Sequence, residues 1–309
     1  MAGVLEGFAV IGALIAIGYL LGRLDVLGEG ARLVLNRFVF FVAAPALLFT
    51  VVARADPSVL FSSLLVVSAA SAVAAAGLYV LVARLLWRRA LGPLTVGALS
   101  SAYVNANNIG LPVAVYVLGN PAYPAPVILL QLAAFAPIAL VVLDAATHEG
   151  RRSIGGTVLA ALRTPIVVGS LLGLVVTLVH VPVPDLVFEP LRLLGNASVP
   201  LMLTAFGMSL AGARPLAAAG QRRDVLLASS LKLLGMPAIA WVLGALVLHL
   251  GPAQLHAVVV LAALPTAQNV QTYAARYGVG TTIARDTGLL TTLGAVPVLL
   301  LTSLLLTGG

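Results

Sequence analysis

Apolar residues run along the chain in long blocks, separated by short clusters of arginine, glycine and proline. A membrane-spanning helix needs about 20 consecutive, mostly apolar residues. Ten blocks reach that length, at residues 3–22, 33–53, 62–83, 93–118, 124–146, 158–179, 187–211, 224–249, 254–275 and 283–306. The pattern therefore predicts an all-α membrane protein with ten transmembrane helices.

The composition agrees with a chain that lies mostly in lipid. Hydrophobic residues make up 61% of the sequence and charged residues 9%, whereas soluble domains carry about 25% charged residues. The chain contains no cysteine, which excludes disulfides and thiolate chemistry. We expect no metal and no cofactor.

The basic residues predict an orientation. With ten crossings, both termini lie on one side, and 14 arginines fall on one side of the membrane against 2 on the other. By the positive-inside rule the richer side is cytoplasmic and both termini are extracytoplasmic, in a cell (inner) membrane. The 14 are Arg23, Arg32, Arg37, Arg84, Arg88, Arg89, Arg151, Arg152, Arg163, Arg214, Arg222, Arg223, Arg276 and Arg285, and the other 2 are Arg54 and Arg192. The net charge of +7 thus reflects topology and lipid contact, and we expect no nucleic acid partner.

Five helices followed by five of opposite orientation are typical of inverted-repeat transporters. Three prolines recur in corresponding helices of the two halves, which we assign to residues 1–150 and 151–309. The pairs are Pro45 with Pro200, Pro112 with Pro265, and Pro137 with Pro297.

Prolines and amides interrupt the fourth span at "NNIGLP" and the ninth at "ALPTAQN". Proline frees a backbone carbonyl that needs another partner at membrane depth. Two broken helices at equivalent positions therefore predict a transport site near the midplane. The candidate substrate-binding residues are Asn105, Asn107, Asn108, Pro112, Gln131, Pro265, Thr266, Gln268 and Asn269.

Some of these residues have a structural alternative. Asn107 and Asn108 are equally suited to cap the helix break, and Gln131 to make a hydrogen bond between helices. Lys232 and Asp144 are ionisable residues within spans. We expect them to snorkel to the interface; the alternative is that Lys232 attracts an anion or pairs with Asp144.

Several motifs resemble the auxin efflux carrier family, which includes bacterial organic-acid permeases and plant auxin exporters. They include "NANNIGLPVAVYVLG", "LGNASVPLMLTAFGMSL", "KLLGMP" and "LPTAQNVQTYAARYGV". The resemblance runs nearly end to end. It departs from some plant members because residues 62–83 carry no charge and residues 147–157 form only a short connection. A plant-like auxin site is therefore not carried over.

The resemblance implies a 5+5 inverted repeat in which helices 4 and 9 cross at their prolines. Helices 1, 2, 6 and 7 would form a scaffold, helices 3–5 and 8–10 would move past it as in an elevator, and the protein would be a homodimer. We expect a carrier that moves small organic anions (carboxylates, including auxin-like acids) out of the cell. The alternatives are a channel-like pore for small solutes and an ion-coupled importer of organic acids. The sequence contains no enzyme motif, and we expect no enzyme activity.

Overall fold

The computed structural model describes residues 2–28, 30–54, 63–147, 163, 165–179, 182–211 and 219–307. Within these ranges the chain forms helices and one isolated antiparallel bridge, and no strand. We number the helices α1 to α13 and count a π turn as part of the helix that continues through it. They are α1 (Ala2–Arg23), α2 (Ala31–Val52), α3 (Ser63–Trp87), α4 (Leu91–Ala102), α5 (106–116), α6 (124–147), α7 (Pro165–Val179), α8 (Asp185–Asn196), α9 (Ser198–Leu210), α10 (Arg222–Val247), α11 (Pro252–Ala263), α12 (Gln268–Tyr277) and α13 (Thr281–Thr307).

The helices coincide with the apolar blocks, so the all-helical prediction is confirmed. Residues 158–162 and 164 of the sixth block, and the neighbouring Arg151 and Arg152, lie outside the described residues. Among the described residues, five helical segments are long and apolar enough to cross a membrane, namely Ala31–Val52, Ser63–Trp87, Asp185–Met208, Arg222–Val247 and Thr281–Leu306. Shorter apolar stretches of 10–17 residues are described in other helices, and the fourth, seventh and ninth blocks are each divided into two helices.

Four of the prolines inside helices each lie two residues after the end of a π turn, whereas Pro190 and Pro297 lie inside helices without one. Proline has no N–H, and its ring clashes with the carbonyl four residues earlier. A π turn widens the helix at that point and so accommodates the ring without ending the helix. The π turns are Val39–Ala43, Ala106–Gly110, Gln131–Phe135 and Leu231–Gly235, and the prolines are Pro45, Pro112, Pro137 and Pro237.

Helices α1, α2, α7, α8 and α9, which we call the first packing group, contact one another through glycines. A Cβ atom on Gly207 of α9 would lie 2.0 Å from the carbonyl oxygen of Ile15 in α1. A Cβ on Gly169 of α7 would lie 2.5 Å from the carbonyl oxygen of Pro45 in α2. These backbone approaches fix the helices of this group against one another.

Helices α3–α6 and α10–α13 form the second packing group. Gly97 of α4 lies against the ring of Tyr79 in α3, where an added Cβ would come within 2.0 Å. Gly110 of α5 lies against Leu264, which follows α11. Close packing therefore also ties the two halves of the chain together within this group.

A polar cluster joins α3, the α3–α4 connection and α10 in the second packing group. Asp224 is fully buried and accepts hydrogen bonds from the Tyr79 hydroxyl (3.0 Å) and from Nε of Arg89 (3.0 Å). Arg89 also donates to the carbonyl oxygen of Gly220. Its hydrogen bond with Asp224 raises the pKa of Arg89, so this guanidinium keeps its charge. The cluster connects the ends of helices from both halves of the sequence.

Candidate functional site

The fourth and ninth blocks cross where their helices are interrupted. Residues 103–105 separate α4 from α5, and residues 264–267 separate α11 from α12; we call these two segments the crossing. The backbone amide of Asn105 donates to the Pro265 carbonyl oxygen at 2.8 Å. The backbone amide of Ala267 donates to the Tyr103 carbonyl oxygen at 2.9 Å. This antiparallel bridge satisfies backbone groups that the helix ends leave free.

The crossing differs from the prediction in one half. Pro265 lies in the crossing, but Pro112 lies seven residues beyond Asn105, buried inside α5. The prediction that both helices cross at their prolines is therefore wrong for Pro112. The π turn Ala106–Gly110 is the physical reason, because it accommodates the ring and lets α5 continue.

Thr266 holds the crossing in place with both its backbone and its side chain. Its hydroxyl donates to the carbonyl oxygen of Ser100 in α4 at 2.6 Å, and its amide donates to the hydroxyl oxygen of Thr291 in α13 at 3.1 Å. Thr266, Pro265 and Pro112 are absent from the lining of the cavity beside the crossing. These three predicted site residues contribute backbone geometry to the site.

The cavity beside the crossing has a volume of about 520 Å³. Its walls come from α2, α5, α6, α7 and α12 and from the crossing itself. Six of the predicted site residues line it, namely Asn105, Asn107, Asn108, Gln131, Gln268 and Asn269. The structure thus brings together amides that are up to 164 positions apart in the sequence, since 269 − 105 = 164.

The amide side chains at this cavity have unused hydrogen-bonding atoms. Asn105 is 3% exposed, and its Oδ1 accepts from the Asn108 amide at 3.2 Å, which leaves its Nδ2 without a protein partner. Gln131 is 4% exposed, and its Oε1 also has no protein partner. Asn107 donates to Asn108, but its own Oδ1 is unpaired. A buried polar atom left unpaired costs about 1–3 kcal/mol, so these atoms point to a polar ligand or water.

This geometry distinguishes the roles left open for the asparagines. The side chain of Asn105 caps the start of α5 through the Asn108 amide, whereas Asn107 and Asn108 bond to each other. Asn105 therefore caps the helix and, as a residue of the cavity lining, also has an unpaired side-chain nitrogen.

Arg37 is the one charged residue among those described that line the cavity. It is exposed on α2, next to Asn36, which also lines the wall. The sequence assigns Arg37 only to the topology signal, and its place at the cavity follows from the folded structure. The aromatic residues Tyr103 and Tyr273 also line the cavity, with their rings edge-to-face at 6.4 Å, and they had no recognisable sequence signal.

Lys232 does not snorkel to the interface, contrary to the prediction. It is 0% exposed inside α10, and its Nζ donates to the carbonyl oxygen of Ala262 at 2.6 Å. Among the ion pairs between described residues, none joins Lys232 to Asp144. Because α10 packs against α11, the side chain is enclosed before it reaches the interface. Asp144 is partly buried in the last turn of α6, away from the cavity lining.

The chemistry of the cavity wall is that of amides, aromatic rings and one guanidinium. Across the described ranges, no three histidine or acidic side chains come together as metal ligands would. The N-termini of α5 and α12 both begin beside the cavity, where helix dipoles favour negative charge.

Comparison with known proteins identifies a family across most of the chain. The family described as membrane transport protein matches residues 4–154 and 140–303. A comparison with curated proteins finds no match.

Proposed function

We propose that this chain, which belongs to the membrane transport protein family of auxin efflux carriers and is a membrane transporter, carries small organic anions. The proposal rests chiefly on the cavity at the crossing. Its one charged lining residue among those described is a cation, Arg37, and the buried Asn105 offers a free amide N–H. A carboxylate accepts hydrogen bonds only and suits both groups. Gln131 and Asn107 offer unpaired carbonyl oxygens, which suit hydroxyl groups on the rest of the substrate.

The proposed site consists of the amide side chains that line the cavity and of the crossing beside them. They are Asn105, Asn107, Asn108, Gln131, Gln268 and Asn269 as wall, Pro265 and Thr266 as crossing backbone, and Arg37 at the cavity as the charged contact. Pro112 belongs to the proposal only as the residue that sets the course of α5.

We attribute the transport movement to an elevator-like displacement of one packing group past the other. In the proposed 5+5 inverted repeat, the first packing group corresponds to spans 1, 2, 6 and 7 and the second to spans 3–5 and 8–10. The close glycine approaches described above join helices of the same group. The hydrogen bond from Thr177 to Val52 lies within the first group, and those of Lys232 and Thr266 lie within the second. Two internally bonded bodies in apolar contact are suited to sliding as units.

The proposed direction is efflux. On the arginine-based orientation, the start of α2 that carries Arg37 faces the cytoplasm, so the cavity would load from inside. A negative interior favours outward movement of an anion by about 2.3 kcal/mol per charge at 100 mV. The proposed location is a cell (inner) membrane with both termini outside, and the proposed assembly is a homodimer.

Counterflow in liposomes containing the purified protein tests carrier function. We would screen acetate, malate, benzoate and indole-3-acetate by thermal shift and load the liposomes with the acid that stabilises most. A carrier saturates, and internal unlabelled acid accelerates entry of labelled acid. Flux that rises linearly with concentration and shows no counterflow would instead establish the channel-like pore. Dependence on a sodium or proton gradient would establish the ion-coupled importer.

Disulfide cross-linking tests the sliding movement, and the cysteine-free chain is a suitable background. One cysteine on α1 and one on α5, which pack together across the two groups, should block counterflow until the disulfide is reduced. The control is Gly92→Cys with Val279→Cys, because a Cβ on Gly92 would lie 3.3 Å from Cβ of Val279 within the second group. This disulfide should leave counterflow intact. Unchanged counterflow with a fully formed α1–α5 disulfide would refute the elevator.

A further inference from the structure

Lys232 is a buried lysine whose amino group contacts the interrupted helix α11. It lies in the π turn Leu231–Gly235 of α10, and it is 0% exposed. Its Nζ donates to the carbonyl oxygen of Ala262 at 2.6 Å and to Sδ of Met236 at 3.2 Å. Enclosing a polar amino group is costly unless it is hydrogen-bonded, so this placement requires an acceptor.

The acceptor is a carbonyl that the helix break leaves free. In an uninterrupted helix, the carbonyl of Ala262 would accept from the amide of residue 266, four positions later. Here the Thr266 amide donates to Thr291, and α11 ends at Ala263. Lys232 supplies the missing donor.

We propose that Lys232 is a positioning residue for the substrate site: it fixes the broken end of α11 and thereby places the Pro265 carbonyl that holds Asn105. The connection runs from Lys232 to Ala262, along three residues of backbone to Pro265, and from the Pro265 carbonyl to the Asn105 amide at 2.8 Å. Neither Lys232 nor Ala262 lines the cavity, so the Lys232 amino group acts on the substrate through the crossing. This inference rests on the proposed function, because it assumes that Asn105 contacts the substrate.

The side-chain length and donor chemistry of Lys232 are both required for this role. Methionine has a similar length but no N–H group, so Lys232→Met leaves the Ala262 carbonyl buried and unpaired. Glutamine retains an N–H donor on a shorter side chain. The matched control is Tyr79→Phe, which removes a buried hydrogen bond to Asp224 in the same packing group without touching the crossing.

Hydrogen exchange on the full-length protein in detergent gives a direct readout without substrate. In Lys232→Met we expect faster amide exchange in residues 264–267 and 103–105, relative to wild type. Tyr79→Phe should leave exchange in these residues unchanged, although its thermal midpoint falls. Wild-type exchange at the crossing in a folded Lys232→Met protein would overturn the inference. If that variant does not fold, Lys232→Gln is measured in its place and should show a smaller change of the same kind.

A double-mutant cycle on binding separates positioning from general destabilisation. The probe is the acid selected by the thermal-shift panel. Lys232→Met should weaken binding by about tenfold, the loss that corresponds to about 1.4 kcal/mol. Combining Lys232→Met with Asn105→Ala should cause little further loss of binding, because the side-chain amide that Lys232 helps to position is already absent. Tyr79→Phe should leave affinity unchanged. Additive losses, or equal losses in Lys232→Met and Tyr79→Phe, would overturn the inference.

The cycle also distinguishes this inference from the function on which it rests. If Asn105→Ala weakens binding but folded Lys232→Met does not, the substrate site stands and the positioning role fails. If Asn105→Ala binds as wild type does, the proposed site itself fails.

Discussion

Replacing Asn105 with alanine perturbs the residue that joins the crossing to the cavity. Its Oδ1 accepts from the backbone amide of Asn108 at 3.2 Å, and its Nδ2 has no protein partner. Asn105→Ala removes both groups and leaves the backbone hydrogen bond to Pro265 in place. The two losses affect different quantities, because one atom stabilises the start of α5 and the other is available to substrate.

The structure lets the two effects be sized separately. Losing a hydrogen bond to a charged partner costs about 1.5–3 kcal/mol, which weakens binding by roughly 10-fold to 150-fold at 1.4 kcal/mol per decade. Losing the cap on the Asn108 amide costs about 1 kcal/mol of stability. Because the amide nitrogen has no partner within the protein, its removal adds no further cost to folding. Binding should therefore suffer more than folding.

Isothermal titration of the selected acid into monodisperse protein measures the binding loss, and the thermal midpoint monitors folding. Asn269→Ala, at the start of α12 beside the cavity, should weaken binding to a similar degree. The control is Asn196→Ala, an exposed asparagine at the end of α8. It should keep its affinity within about threefold, or 0.7 kcal/mol. Wild-type affinity in both Asn105→Ala and Asn269→Ala would refute the reasoning, because these amides would then serve only the backbone.

Three further predictions test the orientation, the packing and the charge at the cavity. A reporter active only in the cytoplasm should work when inserted beside Arg222 and fail when fused to the C-terminus; the reverse result overturns the orientation. Gly207→Ala should lower the thermal midpoint by overpacking, at a cost of about 1–3 kcal/mol, because its Cβ would lie 2.0 Å from a backbone oxygen. The control is Gly12→Ala, whose Cβ would have open space. Equal midpoints in the two variants would contradict the packing. Arg37→Gln should weaken acid binding about fivefold, or about 1 kcal/mol, and the loss should be smaller in high salt. The control is Arg32→Gln, at an exposed residue outside the cavity lining, which should bind as wild type does. Equal affinities in the two variants would remove Arg37 from the site.

The helices and the interrupted regions were predictable from sequence because both depend on local chemistry. Apolar length determined the blocks, and the amides around Asn105 and Asn269 marked the interruptions. The exact crossing point was not predictable for α5, since Pro112 is accommodated by a π turn that leaves no simple trace in residue spacing. A proline alone does not reveal whether the backbone breaks or widens.

The partners of the charged residues depended on packing that the sequence does not encode locally. The depth of Lys232 was recognised, but its acceptor is a carbonyl 30 positions away that is free only because α11 ends there. Arg37 was counted as one of many cytoplasmic arginines, although only the folded structure separates it from its neighbour Arg32 by placing it at the cavity. Long-range contacts of this kind require the tertiary structure.

The π turns make the spacing of residues in these helices sensitive to length. A π turn holds one residue more than the α-helical turn that it replaces, and each helical residue adds about 100° of rotation and 1.5 Å of rise. Deleting one residue of the turn Gln131–Phe135 would therefore let it close as an α-helical turn and press Pro137 against an α-helical carbonyl. Substitutions in the turn keep its length, and with it the space for the ring. The residue count of the turn and the proline that follows are thus coupled in these four helices, whereas Pro297 lies inside α13 without a π turn.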